Sequence, residues 1–169
     1  IYNYASFRIH RGASYVDTGV SANDGEWHHI AVTWRHSDGQ VKLYKDGVLA
    51  YAGTLTAGSI VAGGSVVLGQ DQDSVGGGFN GDQAFKGSMD EVRIWNVVRT
   101  QDQIRADMHR ALRGDEPGLV AYWPFDEGSG STATDQTAND NDATLVGLAW
   151  TTDHVPYTVD SAGSRQQYT

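Results

Sequence analysis

The dipeptide Asp46-Gly47, set between Val41-Lys42-Leu43-Tyr44 and Val48-Leu49-Ala50-Tyr51, limits what this chain can fold into more than any other feature. A two-residue type I′ hairpin loop needs positive φ at both central positions, and Asp-Gly adopts that geometry at little steric cost. The flanking runs are therefore expected to pair antiparallel. Ser37-Asp38-Gly39 predicts a second turn, joining this hairpin to the run Trp27-His28-His29-Ile30-Ala31-Val32-Thr33-Trp34. In a strand there, Ile30, Val32 and Trp34 share one face, and His29, Ala31 and Thr33 share the other. Asn23-Asp24-Gly25 marks a turn before that run. Further upstream, Phe7-Arg8-Ile9-His10 alternates and turns at Arg11-Gly12-Ala13 towards Tyr15-Val16, while Ile1-Tyr2-Asn3-Tyr4 also reads as strand-like. The pattern is a β-meander.

The second half adds strands and one helix. Ser65-Val66-Val67-Leu68 reads as a buried strand. Phe85 to Trp95 reads as another, with Met89, Glu91, Arg93 and Trp95 on one face and Asp90, Val92 and Ile94 on the other. Thr100 with Gln103 predicts a capping box, and Ile104, Met108 and Leu112 fall at i, i+4 and i+8 before Gly114, which can stop a helix. Leu119, Ala121, Trp123 and Phe125 alternate along a strand, and Ala143-Thr144-Leu145-Val146 makes one more. Many short antiparallel strands with one helix near residues 100–112 predict an all-β fold, a two-sheet antiparallel jelly-roll sandwich.

Composition narrows the function. A chain of 169 residues suits one domain with a sizeable core, or one domain plus a tail. A formal net charge of −9, with no basic stripe, argues against a nucleic-acid partner and disfavours adsorption to anionic membranes. Cysteine is absent, which removes disulfides, zinc-thiolate sites and a thiol nucleophile. No apolar run is long enough to insert in a membrane, and no signal peptide is visible. The chain opens inside strand-like sequence without an initiating Met, so it is read as a piece of a longer, extracellular or cell-surface polypeptide.

The stretch from Val67 to Gln83 carries the candidate chemistry. Asp71 and Asp73 bring carboxylates, Gln70, Gln72, Asn80 and Gln83 bring neutral oxygens, and the glycines let the backbone curl. Hard oxygen donors without imidazole or thiolate are what calcium prefers, in a flexible shell of six to eight ligands. A polar loop facing water is the bland alternative. The opening Asp71-x-Asp73-x-x-Gly76, with Asp82 at the twelfth position, imitates an EF-hand. However, Val75 occupies a ligand position, the terminal Glu is missing and strands are expected on both sides, so that reading is rejected.

Four segments together carry a family resemblance: Gly25-x-Trp27 through Trp34, Leu43-Tyr44-Lys45-Asp46-Gly47, Val67 through Asp73, and Asp90-Glu91-Val92-Arg93-Ile94-Trp95. In order and spacing they resemble the pentraxin and laminin-G-like branch of the concanavalin-A-like superfamily, over most of residues 1–150, with 151–169 left as a tail or linker to a further module. The resemblance implies a jelly roll that binds Ca2+ and, in many members, carbohydrate or phosphate-bearing ligands. It implies a bridging acid at Asp71, a main-chain carbonyl at Gln72, a second acid at Asp73 and an amide ligand at Gln83. Asn80 stands where pentraxins commonly have an acid, which weakens the outer ion site, and Asp82 is a candidate to compensate. An Asp-Asn pair of the family's first calcium would fall before Ile1, so N-terminal strands of the jelly roll are read as missing. Gly118 to Gly130 with Asn139 to Leu145 resembles both the opening strands of laminin-G-like domains and the closing strands of pentraxins; completion of one sandwich is preferred. Asn139 to Asp142 reads as an Asn/Asp turn.

Other residues invite weaker stories. His28 and His29 point to opposite faces of a strand and cannot jointly chelate a metal. Trp27, Trp34, Trp95, Trp123 and Trp150 could stack on sugars, but packing suits most of them better. Asp90-Glu91 face apart, whereas retaining glycosidases need two acids about 5 Å apart across the sugar. The Glu-x-Asp-x-x-Glu strand of related glucanases, a Gly-x-Ser-x-Gly elbow and a phosphate loop are all missing. Sequence alone thus points away from an enzyme. It leaves a calcium-dependent, lectin-like recognition module, or a structural or cell-adhesion module in which calcium only stiffens a loop. Homo-oligomers or neighbouring modules are the expected protein partners.

Overall fold

Asp46 (φ 51°) and Gly47 (φ 70°) both adopt the left-handed conformation that a type I′ turn demands, and the hairpin expected there forms. The computed structural model describes residues 6–152 and 155, with the backbone alone at 157–159 and 165–167. The strand-like start at residues 1–4 lies outside the described residues, as does part of the proposed tail. The chain divides into two compact units, Ile1–Gly87 and Ser88–Thr169.

In the first unit, β1 (Arg8–Arg11) and β2 (Ser14–Asp17) form an antiparallel hairpin. A three-stranded meander follows, with β4 (Gln40–Lys45) between β3 (Ile30–Trp34) and β5 (Val48–Thr54). Val32 pairs with Leu43 and Trp34 with Val41; the central Val41 and Leu43 are fully buried. A bulge between Leu43 and Tyr44 shifts the β4–β5 register. The turn before β4 is as predicted. There Asp38 accepts from the Arg35 guanidinium and the Gln40 amide, and the Gly39 carbonyl accepts from the Leu55 amide at 2.8 Å.

β3 begins at Ile30, three residues later than the run from Trp27 suggested. The histidines are spent on holding the sheet's end. His28 Nδ1 lies 2.8 Å from Asp46 Oδ2 and Nε2 lies 2.9 Å from Asp24, while the His29 amide donates to Asp46 Oδ1 at 2.9 Å. Burial opposes the charged imidazolium, but the hydrogen bonds to Asp24 and Asp46 outweigh it and raise the His28 pKa. A group whose folded pKa is raised contributes stability that is complete below its unfolded value and fades as pH rises through the folded one. Melting temperature should therefore fall between mildly acidic and mildly alkaline buffer, and His28→Gln should flatten that slope. An identical slope in the variant would assign the effect elsewhere.

Two expected strands of this region are corrected. Ser65 to Leu68 is irregular, and Val66 is exposed rather than buried. A strand must pair its amides and carbonyls, but the Ser65 carbonyl instead accepts from the Gln72 side chain at 3.0 Å. Of the long run from Phe85 to Trp95, only β6 (Val92–Trp95) is a strand. Glu91 takes φ 55°, which breaks the alternation expected for Met89, Glu91, Arg93 and Trp95.

In the second unit, β6 pairs antiparallel with β7 (Leu119–Trp123). β8 (Thr132–Ala133) pairs with β9 (Ala143–Thr144), which is shorter than the run to Val146 suggested, and β10 (Tyr157–Val159) pairs with β11 (Arg165–Gln167). The helix α1 spans Gln101–Asp107 and opens with the predicted Thr100–Gln103 capping box. It ends well before Leu112. Arg93 holds the Asp107 and Arg110 carbonyls at 2.7 and 2.6 Å, and the Asp107 carbonyl keeps only a three-residue turn bond from the Arg110 amide at 3.3 Å, so the α-helical ladder stops there. Leu112 still reaches the core, packed with Leu119 and Tyr122 and flanked by Trp95. Gly114 (φ 89°) does not stop the helix; it lets the chain pass the Gln136 carbonyl, which a Cβ would approach to 2.0 Å.

The fold class is the expected one, antiparallel β-structure with one short helix. A buried carboxylate that was not anticipated, Asp135, organises the loop after β8. It accepts from the amides of Tyr122 (2.9 Å), Thr137 (2.9 Å) and Asn141 (3.0 Å). The Val120 carbonyl takes the side-chain amides of Asn139 (2.9 Å) and Asn141 (3.1 Å), and Trp123 Nε1 donates to the Asn141 carbonyl at 2.9 Å. The Asn139 to Asp142 segment is thus a tightly bonded turn, with Asp140 at φ 53°.

Candidate metal centre

The acidic loop owes its shape to residues that do not offer their side chains to an ion. Gly69 (φ 78°) opens it, and the Gly69 carbonyl accepts from the Phe85 amide at 2.7 Å, drawing the two ends together. Gln72 spends both ends of its amide: Nε2 donates to the Ser65 carbonyl, and Oε1 accepts from the Gly76 amide at 2.9 Å. Ser74 and Gly77 exchange main-chain hydrogen bonds, which makes a tight reversal at the tip. Gly76 (φ 66°) and Gly78 (φ 73°) supply the left-handed residues that the reversal needs. A Cβ on Gly78 would come within 2.8 Å of the Asp73 Cβ, so the loop folds tightly against that acid.

Within this frame Asp71 and Gln72 are half-buried, Asp73 is exposed, Asn80 is exposed and Gln83 is half-buried. Asn80 caps a short 3-10 turn, Gly81–Gln83, by accepting from the Asp82 amide at 3.0 Å, and the Asn80 carbonyl accepts from the Gln83 amide at 2.9 Å. A shallow groove of about 340 Å³ lies beside the loop, lined by Gly64, Ser65, Gln72, Asp73, Ser74 and Val75.

The donor set fits calcium in kind and falls short in charge. Two carboxylates, the Gln72 main-chain carbonyl and the amide oxygens of Asn80 and Gln83 are all hard oxygens. With its side chain committed elsewhere, Gln72 can contribute only through the main chain. Among the described residues, no group of three or more acids, histidines or cysteines converges as a metal cluster. Ion binding here would have to lean on neutral oxygens.

The other acidic candidates have separate structural uses. Glu91 accepts from Arg93 at 2.6 Å and from the Tyr122 hydroxyl at 2.8 Å. Asp90 accepts from the amides of Glu91 and Val155, and burial raises its pKa despite those bonds. The tryptophans are engaged as well. The Arg11 guanidinium sits 4.9 Å from the Trp34 ring centroid, that of Arg99 sits 3.9 Å from Trp95, and Trp150 Nε1 donates to the Gly130 carbonyl. Sequence reasoning missed the Ser65 carbonyl as an anchor of the loop. Its signal would have been the amide-bearing Gln72 seven residues on, in a loop that must close without a strand.

Among the described residues no helix is long and apolar enough to cross a membrane. The fold resembles a solved structure of a candidate carbohydrate binding protein from Bacteroides ovatus, with a TM-score of 0.58 and 24% identity over 82% of this chain and 42% of that one. That likeness concerns the fold and agrees with a jelly-roll sandwich. Among curated sequences, the chain is 41% identical over 115 residues to the rat "Sushi, von Willebrand factor type A, EGF and pentraxin domain-containing protein 1", covering 67% of this chain and 3% of the relative. It is 48% identical over 75 residues to human pentraxin-4, covering 43% of this chain and 16% of the relative. To C-reactive protein 1.1 of Limulus polyphemus it is 39% identical over 84 residues, covering 48% and 35%. The chain therefore spans a minor part of each of these relatives. With the model of the Pentaxin family matching residues 2–114, the order of hairpin, oxygen-rich loop and Asp90 to Trp95 segment has its explanation: the chain belongs to the pentaxin family.

Proposed function

We propose that the chain is a calcium-dependent recognition module of a larger extracellular protein, binding a glycan or a phosphate-bearing ligand and catalysing no reaction. The observation that carries this reading is the division of labour in the loop. Gln72, Ser65 and the glycines fix the backbone, and the same short loop carries the Asp71 and Asp73 carboxylates. Calcium, when bound, supplies open coordination positions for phosphate, carboxylate or hydroxyl oxygens. Asp71 and Asp73 would hold the ion, the Gln72 carbonyl and the Asn80 and Gln83 amides would complete its oxygen shell, and the reversal at Ser74–Gly77 would keep them in place. The separate structural uses of Asp90 and Glu91 support a binding role over hydrolysis.

Calorimetric titration with calcium provides the test. Replacing Asp71 and Asp73 together by Ala should abolish the binding heat while the circular dichroism spectrum in chelator remains that of the folded chain. Undiminished binding by the double variant would reject the site. A chain that gains thermal stability from calcium yet binds no glycan or phosphate compound would instead be a structural or adhesive module.

A further inference from the structure

Asn80 is the sole asparagine in the sequence followed by glycine, and it stands exposed at the far end of the oxygen-rich loop. We propose that Asn80 undergoes spontaneous deamidation through the Gly81 main-chain nitrogen, and that the aspartate so formed adds a carboxylate to the loop's oxygen shell. The first half stands on local geometry; the second rests on the calcium reading above.

The arrangement favours the chemistry in two ways and restrains it in one. Gly81 is the first residue of the turn, where an amide has no intrahelical partner, so its nitrogen is not tied into a ladder. Gly81 has open space where a Cβ would stand, with nothing within 4 Å, so no Cβ crowds the rotation that attack requires. The Asn80 side-chain oxygen already accepts the Asp82 amide at 3.0 Å. Ring closure requires Asn80 to swing from its resting ψ of 120°, so the cap acts as a brake that the glycine makes releasable.

The step balances with water as co-reactant. The Gly81 nitrogen loses its proton to solvent and bonds to Asn80 Cγ; the Cγ–Nδ2 bond then breaks and Nδ2, taking a proton from solvent, leaves as ammonia, giving a five-membered succinimide. Water then opens either carbonyl. One opening yields aspartate, the other isoaspartate with the main chain lengthened by a methylene. Aspartate caps a helical turn as well as asparagine does, so the first product preserves the turn while adding a negative charge. Isoaspartate displaces the carboxyl and disrupts the turn. An ion held by the Asn80 oxygen would restrain the rotation, and by reciprocity the converted loop would hold the ion differently.

The test begins with the intact chain, kept in mildly alkaline buffer with chelator and followed by peptide mass mapping. Asn80 should acquire the mass of the acid several-fold faster than Asn23, Asn139 and Asn141, each of which precedes Asp. Gly81→Ala should slow the conversion several-fold without changing the melting temperature. Equal rates at all four asparagines, or an undiminished rate in Gly81→Ala, would overturn the deamidation. Calorimetry then compares Asn80→Asp with the wild type, and calcium should bind the variant several-fold tighter. If wild type binds and Asn80→Asp binds no better, the carboxylate's role is refuted. If neither binds calcium, the calcium reading has failed, while the mass measurement still decides the chemistry.

Discussion

Asp135→Ala should lower the unfolding free energy of the second unit by about 3 kcal/mol or more, since each buried amide left without an acceptor costs roughly 1–3 kcal/mol. Three main-chain amides, from Tyr122, Thr137 and Asn141, lose their acceptor at once, and the Thr137 hydroxyl loses a fourth contact at 2.9 Å. Water cannot easily replace the carboxylate, because Asp135 is only 4% exposed. Urea unfolding followed by circular dichroism measures the loss; a midpoint shift within error would show that the loop relaxes to satisfy those amides. Acid gives an independent readout. Burial pushes the Asp135 pKa up, but the converging amides outweigh it and hold it below the ordinary value of 3.8. A depressed folded pKa means stability that is present above the unfolded value and lost as pH falls through the folded one. Asp135→Asn should therefore make acid unfolding less steep.

Gly114→Ala is expected to be nearly as damaging, at roughly 3 kcal/mol, because it combines left-handed strain with a clash that no rotamer relieves. Its Cβ would lie 2.0 Å from the Gln136 carbonyl oxygen, so main chain must move against main chain. The segment cannot yield freely, since the Arg113 and Gly114 amides donate to Glu116 at 2.9 and 3.0 Å. Gly128→Ala is the control. Its φ of 66° is equally left-handed, yet nothing lies within 4 Å of its Cβ, so only about 1 kcal/mol of conformational strain is expected. Similar losses in the two variants would mean that strain, and not the approach to Gln136, governs the site.

Local signals in the sequence were reliable where the chemistry is local. Asp46-Gly47 fixes its own hairpin, and Thr100 with Gln103 fixes the helix start, because each needs only residues a few positions apart. The family resemblance was equally legible, since it rests on motifs in order. What failed depended on distant partners. The apolar Ser65 to Leu68 run has a strand's composition, but the Ser65 carbonyl goes to the Gln72 side chain. Leu112 keeps helical spacing although Arg93, nearly twenty residues earlier, takes the carbonyls that would continue the helix. Asp135 gave no signal, because a single acid in a polar stretch looks solvated until tertiary structure buries it. The loop's donor types were readable from residue identity, while the commitment of the Gln72 side chain to the backbone was not.

Trp123 turns one of these hydrogen bonds into an optical reporter. Its indole is 4% exposed and its N–H is given to the Asn141 carbonyl. A ring so shielded from solvent dipoles should emit at short wavelength and resist collisional quenching by acrylamide. Unlacing the loop that holds Asn141 would hydrate the ring and redden its emission, so the integrity of this polar turn can be followed by fluorescence once the other four tryptophans are replaced by phenylalanine.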